Sequence, residues 1–173
     1  MKWIAFAIGL LAFLGLAIAF LGSLLPREHS ATRKARFKQE PGVVWALLAD
    51  PLRAASWRAD VMSVEPLPDQ NGLTTWREKW KDGKLVVMER TLFEPERKLQ
   101  TRIANTDLPF GGTWTFELSE QGEGSELRIT EDGFVSNTLF RFLTRFVFGH
   151  TSSMESFLRQ LGAKFGEQTV VEE

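Results

Sequence analysis

The chain has 173 residues, and its 21 basic and 22 acidic side chains leave the net charge near zero. It contains no cysteine and only two histidines, which excludes disulfides, thiol catalysis and cysteine-ligated metals and argues against a multi-histidine metal site. No basic run is interleaved with aromatic side chains, so the composition does not favour nucleic acid as a partner. We predict no metal site and no cofactor.

Residues 3–25 are the most distinctive segment because none of them is charged. A helix of this length measures about 35 Å, enough to cross a hydrocarbon core of about 30 Å. We therefore predict a transmembrane anchor over residues 1–25, with residues 3–25 in contact with the lipid bilayer. Two alternatives are a secretory signal cleaved near Ala19 and a buried helix of a soluble core.

Basic side chains are unevenly distributed around this segment. Lys2 precedes it, whereas a cluster follows it: Arg27, Arg33, Lys34, Arg36 and Lys38. The bias predicts that the domain lies on the cytoplasmic side of the membrane. Cleavage of a signal near Ala19 would instead release a secreted or periplasmic protein.

The chain after residue 30 is patterned as an α+β domain. Alternating polar and apolar residues at 31–38 predict a strand, and the proline-led segments 41–50 and 51–57 predict two short helices. Turn signals such as Asp82-Gly83 separate the later strands and favour an antiparallel sheet. Six further strands are predicted at 61–67, 73–81, 84–93, 97–104, 112–119 and 125–134.

A long amphipathic helix is predicted over residues 137–166. On a helical wheel, one broad stripe collects the apolar side chains, and Arg141, Arg145 and Glu155 lie opposite. His150 falls in the middle of the apolar stripe, so we expect it to face the sheet or a cavity. It is a candidate general acid or base, or a donor to a ligand carbonyl. The structural alternative is a core histidine bonded to a carboxylate or a backbone carbonyl.

Three segments carry a resemblance to a known superfamily: PGVVWALLADPLRAASW, FEPERKLQTRI and GGTWTFELSEQGEGSELRITEDG. The sequence resembles the START-like lipid-transfer domains and polyketide cyclases/dehydrases of the SRPBCC superfamily. The resemblance implies a helix-grip fold, in which a ligand-binding domain at 31–167 follows a linker at 26–30 and precedes a tail at 168–173. The N-terminal transmembrane helix is a departure from most members. The superfamily includes carriers, sensors and enzymes, so the resemblance alone does not give the function.

The helix-grip fold implies a cavity between the sheet and the long helix. If Asp82-Gly83 is a two-residue turn, Trp76 lies opposite Glu89, Glu78 opposite Val87, and Trp80 opposite Leu85, all on one face. This face is the candidate interior, and the other would carry Arg77, Lys79, Met88, Arg90 and Thr101. We predict a Glu89–Arg102 ion pair on the interior face, where it serves either polar recognition or only cross-strand pairing.

We predict a membrane-anchored binding or carrier domain for a hydrophobic small molecule such as a lipid, a quinone or a polyketide-like compound. The predicted ligand-binding residues are Trp76, Glu78, Trp80, Glu89, Arg102, Trp114, Phe146, His150 and Met154. An enzyme of the cyclase/dehydratase type is the first alternative, with His150 and Glu78 as acid and base and Arg102 steadying an enolate. The second is an interaction module with a filled core and no ligand.

Overall fold

An eight-stranded antiparallel sheet with the order β2-β3-β4-β5-β6-β7-β1-β8 organises the domain. The computed structural model describes residues 2–149 and 151–173, without the side chains of Ala5 and Phe148. Each strand from β2 to β6 pairs with its successor in the chain, whereas β7 pairs with β1, and β1 pairs on its other side with β8. The fold class is the predicted α+β arrangement, in which the sheet packs against a C-terminal helix.

The strands are β1 (Glu28–Phe37), β2 (Val61–Gln70), β3 (Leu73–Trp80), β4 (Leu85–Glu94), β5 (Lys98–Ile103), β6 (Phe110–Gln121), β7 (Gly124–Val135) and β8 (Val171–Glu172). The helices are α1 (Lys2–Leu24), α2 (Pro41–Leu48), α3 (Thr138–Leu143) and α4 (Ser152–Lys164). A 3-10 helix spans Pro51–Ser56, and a single turn of π-helix, called the π turn below, spans Thr144–Phe148.

Two boundaries differ from the prediction. Strand β1 begins at Glu28, inside the segment 26–30 that was expected to be a linker, because these residues continue the antiparallel ladder with β7. Val171 and Glu172, expected in a tail, form β8 against the outer edge of β1. An exposed strand edge favours such pairing because its backbone groups otherwise lack partners within the sheet.

The two short helices between β1 and β2 are set by their proline residues. Pro41 and Pro51 each begin a helix, where the missing N–H of proline costs no hydrogen bond. The Asp50 side chain accepts a 3.1 Å hydrogen bond from the backbone N–H of Leu52 and so caps the 3-10 helix. Both helices lie where they were predicted.

Helix α4 packs its apolar face on the sheet and forms the core. Met154, Leu158 and Leu161 are fully buried there together with Leu127 and Ile129 of β7. The polar side of α4 is tied to β1, because the Arg33 guanidinium lies 3.3 Å from a Glu155 carboxylate oxygen. The Thr151 hydroxyl also donates to Glu155, and the pKa of this carboxyl is lowered by that hydrogen bond and by Arg33, against partial desolvation.

The predicted single helix 137–166 is interrupted. It divides into α3, the π turn and α4, with Gly149 as the break. Gly149 has φ 77° and ψ 146°, a conformation that is open almost only to glycine. Periodicity alone did not reveal the break, because apolar residues continue at helical spacing on both sides of it. His150 lies outside the described residues.

Helix α1 is apolar along its length and contacts the domain near its C-terminal end. Gly22 is buried against α3: a Cβ at this position would lie 2.1 Å from the Thr138 carbonyl oxygen. The guanidinium of Arg141, itself buried, donates a 2.7 Å hydrogen bond to the Leu25 carbonyl. Helix α1 is long and apolar enough to cross a membrane, and a signal sequence would have the same properties.

The β3–β4 hairpin has a different register from the predicted one. Trp76 pairs with Met88, Glu78 with Val86, and Lys79 with Leu85. The turn is a three-residue loop at 81–83, since the N–H of Trp80 donates to the Lys84 carbonyl and Gly83 adopts φ 85°. The extra loop residue shifts the pairing by one position. A shift by one position moves every side chain of the second strand to the opposite face.

Candidate functional site

A cavity of about 510 Å³ lies between the sheet and helix α4. Its wall is mostly apolar and aromatic and is formed by the start of β1, the inner faces of β3 to β7, α2, the 3-10 helix and the start of α4. Its exposed lining residues are Asp60, Phe134, Gly149, Ser152, Ser153 and Ser156. The mouth therefore lies beside the break that separates α3 from α4.

Aromatic rings build one side of the cavity around Phe157 of α4. Trp57 and Trp114 meet the Phe157 ring edge-on, with centroid distances of 5.1 Å and 5.7 Å, and Phe116 lies 5.5 Å away. Edge-on aromatic packing is favourable beyond the burial of area alone. The four rings come from three separate parts of the chain: the end of the 3-10 helix, β6 and α4.

A buried carboxylate interrupts the apolar wall. Glu78 accepts hydrogen bonds from Trp76 Nε1 at 3.2 Å and from Trp80 Nε1 at 2.9 Å, its neighbours along the same face of β3. Arg58, just after the 3-10 helix, completes the cluster, with its terminal nitrogen 3.2 Å from both carboxylate oxygens. The side chain of Glu78 is 4% exposed. A buried carboxylate is tolerated when it is paired and hydrogen-bonded in this way.

Arg58 joins this cluster to the cavity mouth. Its second terminal nitrogen lies 2.6 Å from an Asp60 carboxylate oxygen, and its guanidinium carbon lies 5.7 Å from the centre of the Phe157 ring. Burial acts to raise the pKa of Asp60, but the hydrogen bond and charge of Arg58 outweigh it and hold this pKa below its usual value. Asp60 is thus held as an anion at the mouth.

Arg90 is a second arginine in the wall. It donates a 2.7 Å hydrogen bond to the Ala49 carbonyl at the end of α2, and its guanidinium carbon lies 4.5 Å from the centre of the Phe93 ring. Burial lowers the pKa of Arg90, and the nearby charge of Asp50 offsets part of that effect. Arg90 therefore brings a cation into a largely apolar part of the cavity.

His29 and Glu131 form a third polar position, opposite the Glu78 cluster in the sheet order. His29 Nε2 lies 3.5 Å from a Glu131 carboxylate oxygen, and both side chains are less than one-fifth exposed. They lie on adjacent strands, β1 and β7, and both line the cavity. The Glu131 carboxylate can therefore orient the imidazole ring of His29.

The structure brings four of the predicted ligand-binding residues to the cavity: Trp76, Glu78, Trp80 and Trp114. The shifted register places Glu89 and Arg102 on the outer face of the sheet, which corrects the expectation that they face the interior. The predicted ion pair between them is present, with Arg102 Nε 2.8 Å from Glu89 Oε2.

The predicted residues of the C-terminal helix lie elsewhere. Met154 is fully buried in the core between α4 and the sheet and does not line the cavity. Phe146 lies in the π turn, is 61% exposed, and contacts Phe142 at a centroid distance of 4.9 Å. The predicted role of His150 is not tested, because this residue is outside the described part of the chain.

Several polar and apolar lining residues were missed by sequence reasoning, among them His29, Met88, Arg90, Thr101 and Glu131. The register error turned Met88, Arg90 and Thr101 outward. The sequence did contain a signal for His29. Successive side chains of a strand point to opposite faces, so His29 lies on the same inner face of β1 as Ala31 and Ala35 if the strand begins two residues before Ala31. The pairing of Arg58 with Glu78 had no sequence signal, since it depends on how the segment after the 3-10 helix folds back against the sheet.

Solved structures with the same fold support the assignment of a helix-grip architecture. The Zhui aromatase/cyclase from a Streptomyces species is 17% identical, with a TM-score of 0.62 over 79% of this chain and 93% of that chain. Major latex-like protein 151 from Panax ginseng is 12% identical, with a TM-score of 0.58 over 81% of this chain and 96% of that chain. At these identities the similarity establishes the fold alone.

A longer protein shares the fold as well. The di-domain aromatase/cyclase StfQ of the steffimycin biosynthetic pathway is 12% identical, with a TM-score of 0.62 over 79% of this chain. This chain spans half the length of that protein. No curated protein matches the sequence. The family model described as polyketide cyclase/dehydrase and lipid transport matches residues 28–166, almost the whole domain after α1. The chain therefore belongs to the polyketide cyclase/dehydrase and lipid transport family.

Proposed function

We propose that this protein is a membrane-anchored binding protein for a hydrophobic small molecule with a polar, oxygen-bearing end, such as a lipid, a quinone or a polyketide-like compound. The observation that carries the proposal is the cavity of about 510 Å³ enclosed by aromatic and aliphatic side chains. Its size falls within the range of about 300–1,000 Å³ that is common for small-molecule sites. A domain that served only as a packed interaction module would have no need of this space.

The distribution of polar groups supports a ligand with one polar end. Arg58 and Arg90 lie in the wall with the Glu78 cluster, whereas the rings of Trp57, Trp114 and Phe157 cover the rest of one side. A carbonyl, hydroxyl or carboxylate would be accommodated beside the arginines, and an apolar body beside the rings.

Helix α1 supports the membrane part of the proposal. It is 23 residues long, and none of its most apolar stretch is buried inside the domain. A helix apolar on every side and left uncovered is stable in lipid rather than in water. We propose that it anchors the domain, with the domain on the cytoplasmic side.

Binding is better supported than catalysis. The cyclase/dehydratase alternative relies on Arg102 in the pocket, but this side chain lies on the outer face of the sheet. Both oxygens of Glu78 are occupied by donors from the protein itself. A general base needs a free lone pair directed at its substrate, whereas a binding site needs only a fixed wall.

The test compares the full chain with a variant whose cavity is filled. Thr101→Trp places an indole in the cavity from β5, and Thr113→Trp places the same side chain on the outer face of β6, where Thr113 pairs with Arg102. The proteins are purified in parallel, and small molecules released on denaturation are identified by mass spectrometry. Binding of the apolar fluorophore N-phenylnaphthylamine is measured through energy transfer from the tryptophans.

We expect a small molecule to accompany the wild type and the Thr113→Trp protein and to be absent from Thr101→Trp. We also expect the fluorophore to bind the first two proteins and not Thr101→Trp. Equal fluorophore binding by all three folded proteins, or none by any, with no released molecule, would contradict a ligand-binding cavity.

A further inference from the structure

The structure carries a second apolar surface, separate from the cavity, beside the C-terminal end of α1. Leu139 and Phe140 of α3 and Phe146 and Val147 of the π turn are all exposed, and we refer to these four residues as the α3 patch. Phe146 and Val147 are each 61% exposed. Four large apolar side chains exposed within nine positions of the chain indicate that this surface contacts a membrane or another protein.

The position of the α3 patch relative to α1 is fixed by two contacts. Gly22 lies directly against the Thr138 carbonyl, an approach that any side chain at this position would prevent. Arg141 is buried and donates to the Leu25 carbonyl, where a guanidinium also complements the negative end of the α1 dipole. Helix α3 is therefore held against the last turn of α1.

This geometry determines the depth of the patch if α1 spans the bilayer. Helix α1 measures about 35 Å against a hydrocarbon core of about 30 Å, so Gly22 lies at the edge of that core. Thr138, which contacts Gly22, then lies at the boundary between acyl chains and headgroups. Interfacial elements place their apolar side chains at this depth.

Two further observations agree with a lipid surface as the partner. Arg27 and Arg145 are exposed, one directly after α1 and one between the apolar residues of the patch, where anionic headgroups would attract them. Phe142 lies next to Gly22 on one side and contacts the Phe146 ring on the other, so it joins the apolar surface of α1 to the patch.

We infer that the α3 patch is a second membrane contact, seated in the headgroup boundary of the bilayer that α1 crosses, and that it holds the cavity mouth against the lipid. Thr144 and Gly149 line the cavity and belong to the same segment as the patch. A ligand can then pass between bilayer and cavity beside this segment without crossing bulk water. The inference rests on the proposed anchoring by α1, and it names the lipid surface as the partner of the mouth.

The test uses the absence of native cysteine, which allows one nitroxide label at a time on the full chain. The protein is reconstituted into vesicles of phosphatidylcholine with a minority of phosphatidylglycerol. Labels at Phe146→Cys and Val147→Cys report on the patch, and a label at Leu14→Cys reports on the middle of α1. Collision with oxygen, which concentrates in lipid, is compared with collision with a water-soluble nickel chelate.

The matched control is Val170→Cys, an apolar residue that is 75% exposed. It precedes β8, whose Val171 pairs with Ala35, seven residues along β1 from Glu28. Strand β1 leads away from α1, so seven residues place this control about 23 Å along the strand from the membrane-proximal end.

We expect the labels at Phe146 and Val147 to favour oxygen, as the label at Leu14 does, and the label at Val170 to favour the nickel chelate. If Leu14 is in lipid but both patch labels behave like Val170, the second contact is refuted and the anchor stands. If the Leu14 label meets the nickel chelate freely, the anchor itself is refuted and the inference falls with it. Dipolar broadening between patch labels that disappears on dilution with unlabelled protein would overturn the inference in favour of contact between two copies of the chain.

A functional measurement separates a membrane contact from a merely structural role. Phe146→Gln together with Val147→Gln leaves α1 and the cavity lining unchanged. We expect the exchange of N-phenylnaphthylamine between vesicles and the cavity to slow several-fold, with equilibrium binding in detergent unchanged. An unchanged exchange rate would refute the role of the patch at the mouth.

Discussion

The cluster around Glu78 provides the sharpest test of the site, because one atom replacement removes its charge. Glu78→Gln keeps the size of the side chain but turns one acceptor oxygen into a donor facing Trp76, Trp80 or Arg58. All four hydrogen bonds of the carboxylate come from these three residues, at 2.9–3.2 Å. No rotation of a glutamine amide can satisfy donors on both of its ends.

The size of the stability loss follows from the hydrogen-bonding groups that Glu78→Gln leaves unpaired. A hydrogen bond to a charged group contributes about 1.5–3 kcal/mol, and breaking a buried ion pair by removing one partner costs about 3–5 kcal/mol. Arg58 keeps its second partner, Asp60, which places the loss at the lower end. We expect the free energy of unfolding to fall by about 3 kcal/mol. For a chain of this size that corresponds to a decrease in Tm of roughly 6–12 °C.

The assay is thermal unfolding of the full chain in detergent micelles, followed by tryptophan fluorescence and near-UV circular dichroism. The matched control is Glu65→Gln, which removes an ion pair with Arg77 whose partners are 58% and 40% exposed. An exposed pair contributes at most about 1 kcal/mol. Glu78→Gln combined with Arg58→Met should be less destabilising than the sum of the single changes, because the double variant leaves no buried charge without its counterion. A Tm for Glu78→Gln equal to that of the control would refute the reasoning.

Three further outcomes follow from the structure. Leu158→Ala removes a fully buried side chain of α4, so we expect the free energy of unfolding, measured in urea, to fall by about 3 kcal/mol. Val43→Ala changes an exposed side chain and should alter this free energy by no more than about 0.5 kcal/mol. Equal effects of the two substitutions would contradict the assigned core. Gly149→Ala forces a side chain into φ 77° and ψ 146° and should cost about 1–3 kcal/mol by the same assay, whereas an unchanged midpoint would mean that the helix break adopts another backbone conformation. The pKa of Asp60 is below its usual value of 3.8, so its contribution to stability is fully present above that pH and is lost as the pH falls through the folded pKa. The difference in Tm between wild type and Asp60→Asn should therefore decrease to zero in acid. A Tm difference that does not change with pH would contradict the pair with Arg58.

The sequence by itself determined the local elements. The uncharged run at 3–25, the alternation in β1, the proline-led short helices and the amphipathic C-terminal segment each depend on a period or a residue type that acts locally. The structure confirms the sheet, its antiparallel order and the α+β fold class. The resemblance to the START-like superfamily was confirmed by the family model over residues 28–166.

The tertiary structure decided which side chains meet. Asp82-Gly83 signals a turn equally well for a two-residue and a three-residue loop, yet the difference of one residue exchanged Glu89 for Met88 beside Trp76. Glycine at 149 permits a helix to continue or to break, and only the backbone of the folded chain shows that it breaks there. The partner of Glu78 is 20 residues away in the chain and reaches it only because the segment after the 3-10 helix folds back against the sheet. Period and residue type fix local geometry, whereas pairing over such distances depends on the whole set of contacts, which no short pattern contains.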